Sequence, residues 1–300
     1  MLGRRQIRGK VMQSLYAYYL SNNKNDVVET YMKKGIGDIY DLYITLLSLL
    51  LKMKEESSNQ IEIRKKKFLA TKEDLTPNKK FVQNKILSIL SVNNELKNYL
   101  IKNAQLNWTK NDPLVHILNK EIEESQIYKN FMSKSEITFK DDKEFILAIF
   151  SDIIAPSTLL EELMEEKHLH WLDDLHIANT MVHATIESFR ENSREDLKLL
   201  RVYKDEQDKE FAINLFRETI EREKEIREII HQKSTNWEIE RIAPIDLVIL
   251  QMALTEILYF TDIPHKVSIN EYVEIAKNYS SPNSTDFING ILDNTITQFK

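Results

Sequence analysis

Asp262-Ile-Pro-His-Lys-Val-Ser-Ile-Asn-Glu271, continued by Tyr272-Val-Glu-Ile-Ala-Lys-Asn-Tyr279, reads as a turn followed by a helix. Pro264 cannot continue a preceding helix, because its ring removes the N–H donor and clashes with the turn before it. Ser268 and Glu271 have the spacing of a capping box, in which each side chain satisfies a free backbone N–H of the first turn. A helix starting at Ser268 is expected. Upstream, Ile245, Val248, Ile249, Met252, Ala253, Ile257 and Leu258 form a broad apolar stripe, the pattern of a buried helix of about four turns. Thr235-Asn-Trp-Glu238 has the spacing of another capping box ahead of that stripe. Downstream lies Asp286-Phe-Ile-Asn-Gly-Ile-Leu-Asp293. Gly290, the only glycine after Gly37, is expected to allow close approach of a neighbouring backbone. Asn289 is expected to tie a loop through its amide.

The middle of the chain repeats itself. Asp142-Lys-Glu-Phe145 returns as Asp208-Lys-Glu-Phe211, Phe150 matches Phe216, Ile154 matches Ile220, Leu163 matches Ile229, and Trp171 matches Trp237, all at an offset of 66 residues. Phe81 stands 27 residues before Trp108, against 26 in the other two units. A period of this size predicts stacked helical modules. Only 5 glycines and 6 prolines occur in 300 residues, too few for a fold rich in sheets and tight turns. The expected fold is therefore all-α.

At the other end, Ile7, Val11, Leu15 and Tyr18 recur as one helical face. Asn22, Asn23 and Asn25 read as a loop, and a second apolar helix spans roughly Ile36 to Met53. Glu55 to Lys67 is polar and ends in Arg64-Lys-Lys-Lys67, a solvated helix or linker, with a nucleic-acid patch as the alternative. The chain carries a net charge of −6, so it is no general magnet for nucleic acid. Yet the first 25 residues hold Arg4, Arg5, Arg8, Lys10 and Lys24 and no acid. Cations at a helix N-terminus oppose the helix dipole, so an external anion explains the cluster better than helix stability does; the plain alternative is a solvated terminus. Arg4 and Arg8 lie one turn apart with Arg5 beside them, a geometry that suits phosphates along an RNA strand.

Several functions are set aside by composition. There is no cysteine, which excludes disulfides, thiolate metal sites and a cysteine nucleophile. His168, His170 and His176 lack a completing ligand pattern, so no metal or other cofactor is expected. No glycine-rich phosphate loop and no nucleophile–base arrangement is present, so no enzyme is expected. Met1 to Lys10 is charged and is not expected to be a secretory signal. The longest apolar run, Ile44 to Leu51, is too short to span a bilayer, so no membrane association is expected, and the absence of cysteine suits a reducing cytoplasm, the expected location.

The segments 262–279 and 286–293, with Asp246-Leu-Val-Ile-Leu-Gln-Met-Ala-Leu-Thr-Glu256 before them, resemble the C-terminal signature of the NusB family of transcription antitermination factors. Arg4-Arg-Gln-Ile-Arg8 with Val11-Met-Gln-Ser-Leu-Tyr16 resembles the arginine-rich start and first helix of that family. The resemblance implies a NusB-like helical bundle, here extended by additional repeated helical units. It implies pairing with NusE, a small-subunit ribosomal protein, on single-stranded boxA-type RNA within the RNA polymerase antitermination complex of ribosomal RNA operons. It implies RNA contacts by Arg4, Arg5, Arg8, Lys10, Phe287 and Asn289, and partner contacts by Asp246 and Glu256. Read alone, Phe287 is either an exposed base-stacking ring or a buried helix anchor. Two positions depart from the family pattern: Asp286 stands where a basic residue is common, and Gln251 where arginine is frequent. The expected organisation is an N-terminal RNA-binding arm with helices at 1–72, inserted divergent repeats at 73–204, and a NusB-like C-terminal part at 205–300. The competing function is a helical interaction scaffold that has lost specific RNA binding.

Overall fold

The computed structural model describes residues 1–21, 25–109, 112–233 and 242–296. The expected capping box at Thr235 to Glu238, Trp237, and Asn22, Asn23 and Lys24 lie outside these residues. The described residues form fifteen α-helices and no strand. In chain order they are α1 (Arg4–Leu20), α2 (Asn25–Lys65), α3 (Lys72–Leu75), α4 (Lys85–Val92), α5 (Asn94–Lys102), α6 (Pro113–Glu124), α7 (Gln126–Ser133) and α8 (Phe139–Ile149). These are followed by α9 (Thr158–Lys167), α10 (Trp171–Ser188), α11 (Glu206–Glu221), α12 (Glu223–Lys233), α13 (Pro244–Tyr259), α14 (His265–Tyr279) and α15 (Pro282–Ile296).

Contacts divide the chain into two compact units, residues 1–36 with 202–300, and residues 37–201. The divisions fall at Ile36 and Arg201, whereas the sequence reading drew its boundaries at 72 and 204. Helix α2 explains the first difference. It begins at Asn25, a residue expected in the loop, and runs well beyond the apolar stretch to Lys65. Side-chain pairs one turn apart sustain its polar end: Gln60 donates to Glu56 at 2.8 Å, and Lys65 to Glu62 at 2.6 Å.

In the first unit, α13 is the core element. Every residue from Asp246 to Ile257 is buried, and α1, α11, α12, α14 and α15 all pack on it. A helix that is apolar nearly all round can be covered only in this way. Pro244 occupies its first turn, where the missing N–H removes no hydrogen bond. Helix α1 buries Ile7, Val11 and Leu15, as expected, and leaves Tyr18 half-buried. Arg217 of α11 grips Glu29 of α2 through Nε and Nη2 at 2.7 and 2.9 Å.

The expected capping box at Ser268 is corrected by the structure. Helix α14 starts one turn earlier, at His265, with Pro264 as its N-cap. The Pro264 carbonyl already accepts from the N–H groups of Val267 and Ser268. The side chains of Ser268 and Glu271 are thereby released for tertiary partners. Gly290 is a second correction, because a Cβ added there meets no described atom within 4 Å. It marks no close approach.

In the second unit, an aromatic cluster of Phe81, Tyr128, Phe131 and Phe145 joins α7 to α8, with Phe131 and Phe145 stacked at 4.0 Å. Trp171 is the largest of the fully buried side chains among the described residues. Tyr43 of α2 and Thr185 of α10 share a buried hydrogen bond of 2.6 Å. Trp108 donates to the Thr45 carbonyl at 3.1 Å. Asn93 caps α5 by accepting from Leu96 N–H at 2.9 Å and donates to the Leu197 carbonyl at 2.7 Å.

The 66-residue repeat corresponds to real helices. It carries α9 onto positions 224–233, one residue inside the start of α12. Asp142 and Asp208, Phe145 and Phe211, and Phe150 and Phe216 are buried in both copies. Phe81 and Trp108 share the spacing but not the pattern, because both stand outside helices.

Candidate functional site

The first turn of α1 is built against three carboxylates. Arg8 is 2% exposed, and its guanidinium donates through Nε and Nη2 to the two oxygens of Glu256 at 2.7 and 2.6 Å. Glu256, fully buried on α13, also accepts from Ser268 Oγ at 2.6 Å and Tyr272 Oη at 2.9 Å. Four donors thus satisfy one buried carboxylate, the condition under which a buried ion pair is tolerated. The Arg8 guanidinium lies 5.1 Å from the Phe211 ring centroid and 5.8 Å from that of Tyr272, within cation–π range. Burial disfavours its charge, but the Glu256 hydrogen bonds together with the charges of Tyr272, Glu256 and Glu271 outweigh that, so the guanidinium pKa is raised. Burial, and then the Glu256 charge, push the Tyr272 hydroxyl well above its ordinary value.

Arg5 points the other way. It holds both oxygens of Glu271 at 2.8 Å in a bidentate pair while its side chain stays 46% exposed. The hydrogen bond from Arg5 keeps the Glu271 carboxyl below its ordinary pKa. Arg4 donates to Asp208 at 2.9 Å, sits 5.0 Å over the Phe211 ring, and is 42% exposed. Arg4, Arg5, Gln6, Pro264, Val267 and Glu271 line an open groove of about 480 Å³.

The arginine cluster therefore has an internal explanation that the sequence reading lacked. Asp208, Glu256 and Glu271 answer the three cations from α11, α13 and α14. Arg8, expected at an RNA surface, is enclosed and committed to Glu256. Lys10, expected beside it, is also buried. The two residues expected to meet a partner protein are inside as well. Glu256 is fully buried, and Asp246 is 4% exposed and accepts from the Ser280 hydroxyl that follows α14. Both acids join helices of one unit, which is why α13 can carry them in an apolar core.

Phe287 and Asn289 are half-buried on α15, and Asn289 donates to Asp293 at 3.4 Å. Neither lines the groove. Asp286 beside Phe287 is exposed. Gln251 is fully buried, and neither polar atom of its side-chain amide has a partner among the described residues. No group of three His, Asp or Glu that could hold a metal occurs among the described residues. No described helix is long and apolar enough to cross a membrane.

These features define an all-helical bundle whose first helix is locked by a buried arginine–glutamate pair and displays two further arginines at a groove. A family profile described as NusB family matches residues 170–297. The transcription antitermination protein NusB of Salinibacter ruber is 50% identical over 97 residues, which is 32% of this chain and 61% of that protein. The NusB protein of Alkaliphilus oremlandii is 45% identical over 94 residues, 31% of this chain and 68% of its own. That of Methylacidiphilum infernorum is 47% identical over 92 residues and is 64% covered. The chain belongs to the NusB family. It spans 61–68% of the length of these relatives, and its residues 1–169 lie outside the family profile.

Proposed function

We propose that this protein is a non-catalytic RNA-binding transcription antitermination factor. It engages single-stranded boxA-type RNA together with NusE, in the cytoplasm, as part of the RNA polymerase antitermination complex of ribosomal RNA operons. Family membership and the relatives' naming as transcription antitermination proteins support the general reading. The observation that carries it is the posture of Arg4 and Arg5. Each is half exposed at an open groove and fixed by a carboxylate behind it, Asp208 or Glu271. Arginine has five N–H donors, and the Glu271 pair uses two of those on Arg5, so donors remain for a phosphate. Fixing the guanidinium in advance lowers the entropy lost on binding. Phe287 and Asn289, on α15 and outside the groove, are proposed as a separate contact for an unpaired base. Arg8 serves by holding α1 in place.

The Arg4→Gln/Arg5→Gln variant tests this reading. It is expected to weaken RNA binding and to lower the slope of log K against log salt by about 1.4, that is 0.7 for each phosphate contact to a single strand. Fluorescence anisotropy at several salt concentrations measures it, and an unchanged slope sinks the assignment. The interaction-scaffold reading has one observation in its favour, the extent of residues 1–169 outside the family profile. Loss of specific RNA binding in the parent chain, with partner binding intact, would favour it.

A further inference from the structure

We propose that the end of α2 and the loop after it form a second, sequence-independent contact for single-stranded RNA, on the unit of residues 37–201. The proposal rests on the RNA reading in choosing RNA among polyanions. Its geometry is independent of the groove beside Arg4 and Arg5.

Charge is the first argument. Residues 62–80 contain seven Lys and Arg and three Asp and Glu, a net +4. The whole chain carries −6, so everything outside this segment carries −10. A basic concentration of this kind on an acidic protein is the footprint of a local anion partner. The structural explanation covers only part of it. Arg64 and Lys65 lie in the last turn of α2, where cations favour the negative end of the helix dipole. They also pair with Glu123 at 3.3 Å and Glu62 at 2.6 Å. Lys66, Lys67 and Lys72 lie beyond that turn and are exposed. Lys67 approaches Asp74 only to 3.9 Å.

The second argument is the apolar tip. Phe68 is 99% exposed and Leu69 84%. Folding gains nothing from a ring left wholly in water. An aromatic side chain between lysines is the usual stacking platform for an unpaired base, with the lysines tracking the backbone. The loop is also held in place. Thr71 accepts from Asp74 N–H and Asp74 accepts from Thr71 N–H, a reciprocal cap that closes it onto α3. Lys66 N–H donates back to the Ile63 carbonyl at 3.1 Å.

An anionic membrane offers the same charge but fits less well. A lipid surface is extended and would face the −10 of the remaining chain, whereas a nucleic-acid strand meets the patch alone.

The test uses the full chain and an unstructured oligouridylate. Thiouridine-substituted RNA is photocrosslinked and the adducts are mapped by mass spectrometry. Anisotropy titrations compare the parent with Phe68→Ala and with Lys66→Gln/Lys67→Gln/Lys72→Gln. The expected result is adducts on the peptide holding Phe68 and Leu69. Phe68→Ala weakens binding about fivefold. The triple variant lowers the salt slope by about 2. Adducts confined to residues 1–36 and 202–300, with both variants binding like the parent, overturn this proposal and leave the first reading standing. Adducts confined to 62–80 uphold it and remove the groove from the RNA path. No RNA binding at all overturns both. Co-flotation with phosphatidylserine vesicles that the variants lose, alongside unchanged RNA binding, reassigns the patch to membrane and overturns the proposal.

Discussion

Glu256→Gln destabilises the unit of residues 1–36 and 202–300 by about 3–5 kcal/mol, the usual consequence of removing one partner of a buried ion pair. Arg8 would remain charged at 2% exposure, facing an amide whose own N–H groups repel it. One of the Ser268 and Tyr272 hydroxyls, which now donate to different oxygens of Glu256, loses its acceptor in the same step, because the amide keeps a single oxygen. The effect exceeds the worth of the contact itself, because most of it is the penalty of stranding a guanidinium in the core. Arg8→Met paired with Glu256→Gln removes both charges. The double variant is expected to be more stable than Glu256→Gln alone, by at least about 1 kcal/mol. Hydrogen exchange of the α13 amides, read in both variants and the parent, measures the difference. Equal protection in Glu256→Gln and the parent would show that Arg8 finds compensation elsewhere.

Trp171→Ala destabilises the unit of residues 37–201 by about 3–5 kcal/mol, the range for emptying a large aromatic site in a packed core. At 2–4 °C per kcal/mol, that is a fall in melting temperature of about 10 °C. Trp171→Phe is expected to cost less than about 2 kcal/mol, since the ring volume is largely kept. The indole Nε1 is buried without an acceptor among the described residues, so phenylalanine discards a polar group that none of them satisfies. Calorimetry of the three proteins separates the cases. A loss in Trp171→Phe as large as in Trp171→Ala would mean that the indole N–H, and not the ring volume, carries the stability.

Local pattern reached the sequence reader well, and partnership did not. The apolar stripe of α13 and the face of α1 follow from spacing alone and are helices, and the matched residues of the 66-residue repeat lie in helices wherever both copies are described. The start of α14 was misplaced by one turn because Ser268 and Glu271 satisfy a capping rule while serving Glu256 and Arg5 instead. The arginines of α1 were visible as a cluster, but Arg8 and Glu256 are 248 residues apart, and no local rule links them. One signal was available. Glu256 stands between Thr255 and Ile257 in a helix with few polar positions, so a carboxylate there must be buried and must find a cation. Asp208 was likewise noticed only as part of a repeated word, although its carboxylate receives Arg4. The end of α2 was legible as a basic run, and its exposed Phe68 was not.

The central claim is that this chain acts as a NusB-type RNA-binding factor through the arginine groove. The most direct test is fluorescence anisotropy with a boxA-like single strand and a scrambled control, each with and without NusE. The expected result is tighter binding to the boxA-like strand than to the control, strengthened by NusE. Equal weak binding to both strands, unaffected by NusE, would contradict it.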